Sequence, residues 1–490
     1  MRKSPIVRLA SPEWDQLREI VFRRYPDLEW ATFSRFGWRE TKTHLVLTLA
    51  EIVPPQDGDL LEHVGNVAIT EPYTLRMALS AEEHALAVGI VHSHPTDCHP
   101  FASTIDDEMD SYYSQYFADF APGRPYVSLI ASIVDGELAL SGRVFWKGAL
   151  LPVKRFAIGQ TPCSTWVEGR APHSHVRRIE RTQRLSAALG LKAALRLQNS
   201  CVAVIGAGGT GSAAIEVLAR AGVGRLIIVD PDRMSESNLE RVHGSVPSHV
   251  AAHRFKVLLA ADHVQSINPS CMVDAIVGAL PQPAVVDAIL TADVMLGCTD
   301  QQHSRLAISD IATRFLVPAI DTGVVLEGDQ GRVTAQVIQF VRFLPADPCA
   351  LCRSMIDPSR ICQELMHPQE RNRREAAARD ARASGGNGDA YWHEIPQLNT
   401  VGYLTTTAGA ILAGYAIGWL TGTFQPPFER LQMNLCAPFL DVTDQEQTAR
   451  QECTCHRVRG WADQAAADAL ITAPNHWPQP EVILARTPRS

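Results

Sequence analysis

No run of roughly seven to fifteen apolar residues follows the basic start of the chain, MRKSPIVRLASPEWD, so no secretory signal peptide is expected. Basic residues are not in excess. The formal net charge is −8, which argues against a general nucleic-acid binder. No internal repeat is visible. With 46% hydrophobic and 20% charged residues, the chain is not a disordered, collagen-like or coiled-coil protein. Its 11 cysteines are an odd number and several sit in apolar runs. Without a signal, they suit reduced cytoplasmic thiols plus a metal site better than a disulfide framework. One segment, Tyr403 to Gly422, has the length of a membrane span. Its Gly, Ala and Thr content and the lack of a second span predict a buried, closely packed helix, and no membrane partner.

The chain has 490 residues, too many for one core, and two to four domains are expected. Ser11-Pro12 starts a helix that carries Trp14, Leu17 and Val21 at helical spacing and closes at Pro26. Strands are predicted over 30–38, 44–53, 87–92, 126–134 and 137–145, with Asp135-Gly136 as a hairpin turn. This α+β unit is expected to span 1–150. Residues 151–185 form a basic linker and arm with Arg177, Arg178, Arg181 and Arg184. From Cys201, CVAVIGAGGTGSAAIEVLARAGVGRLIIVD is strand, glycine turn, helix, strand. Apolar runs at 273–280, 293–298 and 317–324 then predict a mostly parallel sheet covered on both faces, over 186–440. Residues 356–395, which include Gly385-Gly386-Asn387-Gly388, are expected to be a mobile loop. The polar segment 441–490, with Pro474, Pro478, Pro480 and Pro488, is expected to be partly disordered.

Two constellations carry chemistry. In VGIVHSHPTDCHPFASTID, His92 and His94 end an apolar strand two residues apart, so both rings fall on one face. With Asp106 they make two histidines and a carboxylate around an open fourth position, the ligand set of a catalytic zinc. His99 is a competing ligand. The stretch resembles the JAB/MPN (JAMM) family of metallo-isopeptidases over about residues 10–150. The resemblance implies zinc on His92, His94 and Asp106, oxyanion stabilisation by Ser103, and a catalytic glutamate after the first helix. Glu29 matches that glutamate best and Glu51 is the second choice. The spacing from His94 to Ser103 is one residue longer than is usual in the family.

The second constellation is Gly206-Ala-Gly208-Gly209-Thr-Gly211 between a strand and a helix, with Asp230 ending the next strand. Glycines admit phosphate to the helix N-terminus, and a carboxylate there accepts ribose hydroxyls. Alone, this suits NAD as well. Asp232, Asn238, Arg241, Lys256, Asp300 and Arg305 follow, a set of cations and carboxylates suited to adenylation, with Asp300 on Mg²⁺. The set resembles the ThiF/MoeB/E1 superfamily from about Arg181 to Gly422. That resemblance implies ATP, Mg²⁺, a ubiquitin-like substrate with a C-terminal glycine, and a homodimer in which Arg184 reaches the partner's ATP site. Cys349 and Cys352 resemble half of that family's zinc knuckle. ECTCHRVRG offers Cys453 with Cys455, or with His456, as the other half. Cys362 is the candidate thioester nucleophile, because no other cysteine lies between Cys352 and Cys436.

Together these features imply a fusion of a zinc isopeptidase with an adenylating enzyme, similar to components of bacterial operons that encode E2-like and ubiquitin-like proteins, some of them antiphage. The alternatives are sulfur-carrier processing, a non-catalytic scaffold, and an NAD-linked oxidoreductase. Tight MgATP binding without NAD(H) binding discards the last.

Overall fold

The computed structural model describes residues 3–63, 66–95, 99–159, 164–165, 167, 180–394, 400–436 and 448–483. Arg177, Arg178 and Pro488 lie outside these residues. The chain begins with β1 (Ser4–Leu9), α1 (Ser11–Val21), β2 (Ala31–Glu40) and β3 (His44–Val53). A small hairpin, β4 (Leu60–Glu62) and β5 (Val67–Ile69), leads to α2 (Glu71–Glu83), β6 (Ala87–Ser93) and α3 (Thr104–Phe120). The unit closes with β7 (Tyr126–Val134), β8 (Glu137–Trp146), β9 (Ala149–Pro152), β10 (Arg155–Ile158) and β11 (Ser164–Thr165). Its sheet runs β10-β1-β3-β2-β6-β7-β8-β11, with β9 on β8.

Alternation along the strands sorts this sheet into two faces. Trp14, Leu17 and Val21 of α1 pack with Leu45, Leu47 and Val91 on one. Tyr73 and Met77 of α2 and Tyr113 and Phe117 of α3 pack with Phe33, Val88 and Ile90 on the other. Asp135 and Gly136 both have positive φ, as the hairpin requires. The sheet does not stop at residue 150. β10 pairs with β1 and β11 with β8, so the first part of the expected linker carries strands of this sheet. Pro152, Lys154 and Arg155 interrupt the apolar alternation there and hide it from a pattern reading.

The second unit starts with a turn at Glu180–Thr182, α4 (Gln183–Leu189) and α5 (Leu191–Asn199). There follow β12 (Cys201–Ile205), α6 (Gly209–Ala221), β13 (Arg225–Val229), α7 (Pro247–Ala251) and α8 (Lys256–Ile267). Then come β14 (Met272–Val277), α9 (Pro283–Ile289), β15 (Val294–Gly297), α10 (Gln302–Phe315), β16 (Ala319–Asp329) and β17 (Arg332–Phe343). Last are α11 (Pro358–Glu364), α12 (Pro368–Ala383), α13 (Gly402–Thr421), β18 (Arg430–Asn434) and β19 (Glu481–Ile483). The sheet order is β18-β17-β16-β15-β12-β13-β14-β19. Its centre, β16 to β14, is parallel, but β17, β18 and β19 pair antiparallel, so the sheet is mixed, with a parallel centre and antiparallel edges. Val202 and Val204 face α6, α8 and α13, whereas Cys201, Ala203 and Ile205 face α9 and α10. Both parities are apolar because both faces are covered.

Two further expectations change and one holds. Residues 356–394, expected as a loop, are largely helical. Glu370 and Glu375 form ion pairs with Arg371, Arg373 and Arg374 along α12. Within the C-terminal segment, the described residues 448–483 are docked, with β19 against β14 and the Gln282 Nε2 donating to the Pro478 carbonyl at 2.6 Å. Tyr403 to Gly422 is α13, and its small residues allow close contact with α6, where a Cβ at Gly409 would meet Ala213 at 2.7 Å. No helix among the described residues is long and apolar enough to cross a membrane.

Candidate functional site

The first site follows from strand register. Ala31 of β2 pairs with His92 of β6, and the Ser93 amide donates to the Trp30 carbonyl at 3.0 Å. Continuing that antiparallel register sets Glu29 opposite His94. His92 shares the parity of Val88 and Ile90, the face on which α3 packs, and α3 carries Asp106 in its first turn. His92 Nε2 stands 3.1 Å from Asp106 Oδ1, and His94 Nε2 stands 3.7 Å from Asp106 Oδ2 and 3.9 Å from Glu29 Oε1. The ligand atoms of His92, His94 and Asp106 all lie within 4.8 Å of one another.

Both Nε2 atoms are buried without a hydrogen-bond partner. The His99 carbonyl lies 3.1 Å from His94 Nδ1 and accepts its proton, which leaves Nε2 with a free lone pair. Two orphaned imidazole nitrogens and a carboxylate fit a zinc ion with an open position. Burial raises the Glu29 pKa, as suits a general base. Burial also pushes Asp106 up, but the adjacent His92 and His94 rings and the Ser103 amide outweigh it and hold the group well below the ordinary carboxylate range. Ser103 caps α3 and its hydroxyl donates to Asp106 Oδ2 at 2.7 Å, so here it positions a ligand and does not stand free for an oxyanion. Glu51 pairs with Arg35 at 2.7 Å, farther along β2. The His99 ring packs on Phe101, with centroids 5.2 Å apart.

The second site is a cavity of about 1430 Å³ at the C-terminal ends of β12, β13 and β15. Ligand pockets usually occupy ~300–1,000 Å³, so a nucleotide fits with room to spare. Gly206, Gly208, Gly209, Asp230, Asp232, Asn238, Arg241, Lys256 and Asp300 all line it. Gly206 has φ +101 and lies against the Cys298 carbonyl, so it alone can make this turn. Gly211 does not line the cavity. A Cβ there would collide with the Gly206 carbonyl, so this glycine serves strand–helix packing.

The carboxylate of Asp230 is buried and accepts the Ala207 and Asp232 amides at 2.7 and 2.8 Å, bracing the glycine turn as well as facing the cavity. Lys256 pairs with Asp232 at 2.8 Å. Asn238 accepts from the Ser235 amide at 3.0 Å and Arg241 donates to the Thr400 carbonyl at 3.4 Å. Arg305 lies 3.3 Å from Asp321, whose pKa is pushed up to about 6 by burial. Arg184 is exposed on α4 and does not line this cavity; Cys362 is exposed on α11. Sequence reasoning missed Arg360, His303 and the C-terminal Trp477, Gln479 and Glu481, all of which line the cavity. None belongs to a motif, and the last three arrive through β19 pairing.

A third cluster joins Cys349, Cys352, Cys453 and Cys455. Neighbouring Sγ atoms lie 3.6–3.8 Å apart. Tetrahedral zinc with Zn–S of about 2.3 Å places sulfurs ~3.8 Å apart, so the four fit the ion. Cys455 is buried in the cluster and His456 is exposed, which assigns the fourth position to the cysteine.

A model of the ThiF family matches residues 180–457. The adenylyltransferase and sulfurtransferase UBA4 of Candida albicans is 32% identical over 164 residues, 33% of this chain and 35% of that one. The SAMP-activating enzyme E1 of Haloferax volcanii is 30% identical over 158 residues, 32% of this chain and 54% of its own. The sulfur carrier protein ThiS adenylyltransferase of Escherichia coli is 33% identical over 135 residues, 28% of this chain and 53% of its own. The chain thus spans about a third to a half of the length of these relatives. The matched family region begins at residue 180, so the His92–His94–Asp106 site lies outside it.

Proposed function

The chain belongs to the ThiF family, and from that premise we propose that it adenylates the C-terminal glycine of a small ubiquitin-like or sulfur-carrier protein with MgATP. The observation that carries this reading is one cavity lined by the glycine turn, Arg241, Lys256 and Asp300 together. The substrate carboxylate attacks the α-phosphate, the bond to pyrophosphate breaks, and an acyl-adenylate remains. Arg241 and Lys256 hold the phosphates and offset their charge, and Asp300 binds Mg²⁺. Asp232, Asn238 and the α6 N-terminus complete the nucleotide site. The names of the UBA4 and ThiS relatives favour sulfur-carrier activation over conjugation with an E2-like partner or an antiphage role.

On this reading Arg184, exposed on α4, serves the site of a second copy in a homodimer, and Cys362 is the candidate acceptor if a thioester forms. Cys349, Cys352, Cys453 and Cys455 hold a structural zinc.

The N-terminal unit supports a second activity, hydrolysis of residues beyond that glycine, on the strength of the orphaned His92 and His94 nitrogens beside Glu29. Zinc there would polarise a carbonyl and activate water. Glu29 takes and returns the proton, and Ser103 holds Asp106 in place. Intact mass spectrometry of a candidate carrier with MgATP tests the main reading. An AMP adduct that Asp300→Ala abolishes supports it; an unchanged carrier, with no ATP–pyrophosphate exchange, refutes it.

A further inference from the structure

α11 enters the nucleotide cavity from the segment after Cys352, and it is fastened to the start of α10 by a set of polar bonds. Glu364 is its anchor. One carboxylate oxygen accepts the Gln302 amide at 3.1 Å, and the other accepts the His303 amide at 2.9 Å and lies 2.9 Å from His303 Nδ1. Gln302 returns the contact, its Oε1 accepting the Asp357 amide at 2.7 Å. The Glu364 side chain is only 10% exposed, so these bonds work in a partly desolvated place.

Arg360 projects from the same helix one turn earlier. Its Nε donates to Glu364 Oε1 at 3.2 Å and its Nη2 donates to the Asp300 carbonyl at 3.1 Å. It also lines the cavity, as Asp300 does. Two of five guanidinium donors are engaged by these bonds, and the fork geometry leaves donors for a phosphate. Its place in the cavity is specific. The glycine turn and Asp230 lie at the ends of β12 and β13, whereas Asp300 follows β15. Since β12 lies between β13 and β15, Arg360 stands with Asp300 at the end of the cavity away from Asp230, where it can meet phosphates that run from the glycine turn toward β15.

We propose that Arg360 is a phosphate-contacting residue for the β- and γ-phosphates of ATP, with Glu364 as its positioning residue. This rests on the adenylation reading and adds to it a cation from α11, outside the glycine-turn motif and the Asn238–Arg241–Lys256 series. It also makes α11 part of the site, so that seating of the triphosphate is coupled to the helix that carries Cys362.

The test is calorimetric titration of the full chain with MgATP and, separately, with AMP. Arg360→Ala is expected to weaken MgATP at least about tenfold and AMP less than about twofold, as loss of a charge-assisted contact implies. Arg360→Lys recovers part of the loss, because an ammonium keeps the charge but not the fork. Glu364→Gln lowers the ATP-over-AMP preference in the same direction by a smaller factor. Equal weakening of ATP and AMP in all three variants assigns Arg360 a structural role and overturns the proposal. So does unchanged ATP affinity in Arg360→Ala while the wild type binds tightly. A wild type that binds neither nucleotide overturns the adenylation reading and this inference with it.

Discussion

The guanidinium of Arg8, on β1, donates to the main-chain carbonyl of Leu290 at 3.0 Å, across the boundary between the two units. It also donates to the carbonyls of Ala292 and Leu316, and it is buried. Arg39 adds ion pairs to Asp287 and Asp463 at 2.7 and 2.9 Å, and Val46 of the first sheet joins the second unit's core. Burial pulls the Arg8 pKa down to about 10, so the cation persists at neutral pH. Its removal strands three buried carbonyls. Arg8→Ala is expected to cost about 2–4 kcal/mol. Thermal unfolding is expected to split, with the two units melting apart.

Metal content separates the two cysteine and histidine clusters. The purified chain is expected to carry two zinc ions by elemental analysis. His94→Ala loses one with little change in melting temperature. Cys352→Ser loses the other and destabilises the C-terminal segment, since an ion on the four cysteines would tie residues 349–352 to 453–455. Glu29→Gln keeps both ions and abolishes tail hydrolysis, which separates base from ligand.

Lys256→Ala and Arg241→Ala are each expected to lower ATP–pyrophosphate exchange about a hundredfold or more. Gly211→Ala is expected to act differently. It collides with the Gly206 carbonyl, so folding yield falls before any nucleotide effect can be measured.

Acid stability has a named contributor in Glu216. Burial raises its pKa, but hydrogen bonds from His243, Arg220 and His263 prevail and bring it down to about 2. A carboxylate depressed in the folded state adds stability that is fully present above its ordinary unfolded pKa, near 4.3. That contribution fades as pH falls from about 5 toward 2. The melting-temperature gap between wild type and Glu216→Gln is therefore expected to be widest near pH 6 and to narrow steadily by pH 3. A gap independent of pH refutes the assignment.

The legible parts of the fold were those with strong local periodicity. β3 and β7 occupy the predicted residues, and the glycine turn stands where Gly206 to Gly209 place it. The clustering of His92, His94 and Asp106 was legible because the three are close in sequence, and Glu29 beside them because a strand start follows the first helix. What escaped depends on partners far along the chain. β10 and β19 are short strands defined by β1 and β14 and not by their own pattern. Arg360 is an ordinary helical arginine until Glu364 and the Asp300 carbonyl hold it. Cys455 was separated from His456 by burial, which spacing does not encode.

β19 has a consequence for handling the protein. It covers the open hydrogen-bonding edge of β14, while Trp477, Gln479 and Glu481 wall the nucleotide cavity. Truncation before Pro474 would therefore do two things at once. It would widen the entrance used by ATP, and it would bare a strand edge able to recruit the same edge of another molecule. Such a shortened protein is expected to self-associate, and catalytic losses measured on it would mix aggregation with chemistry.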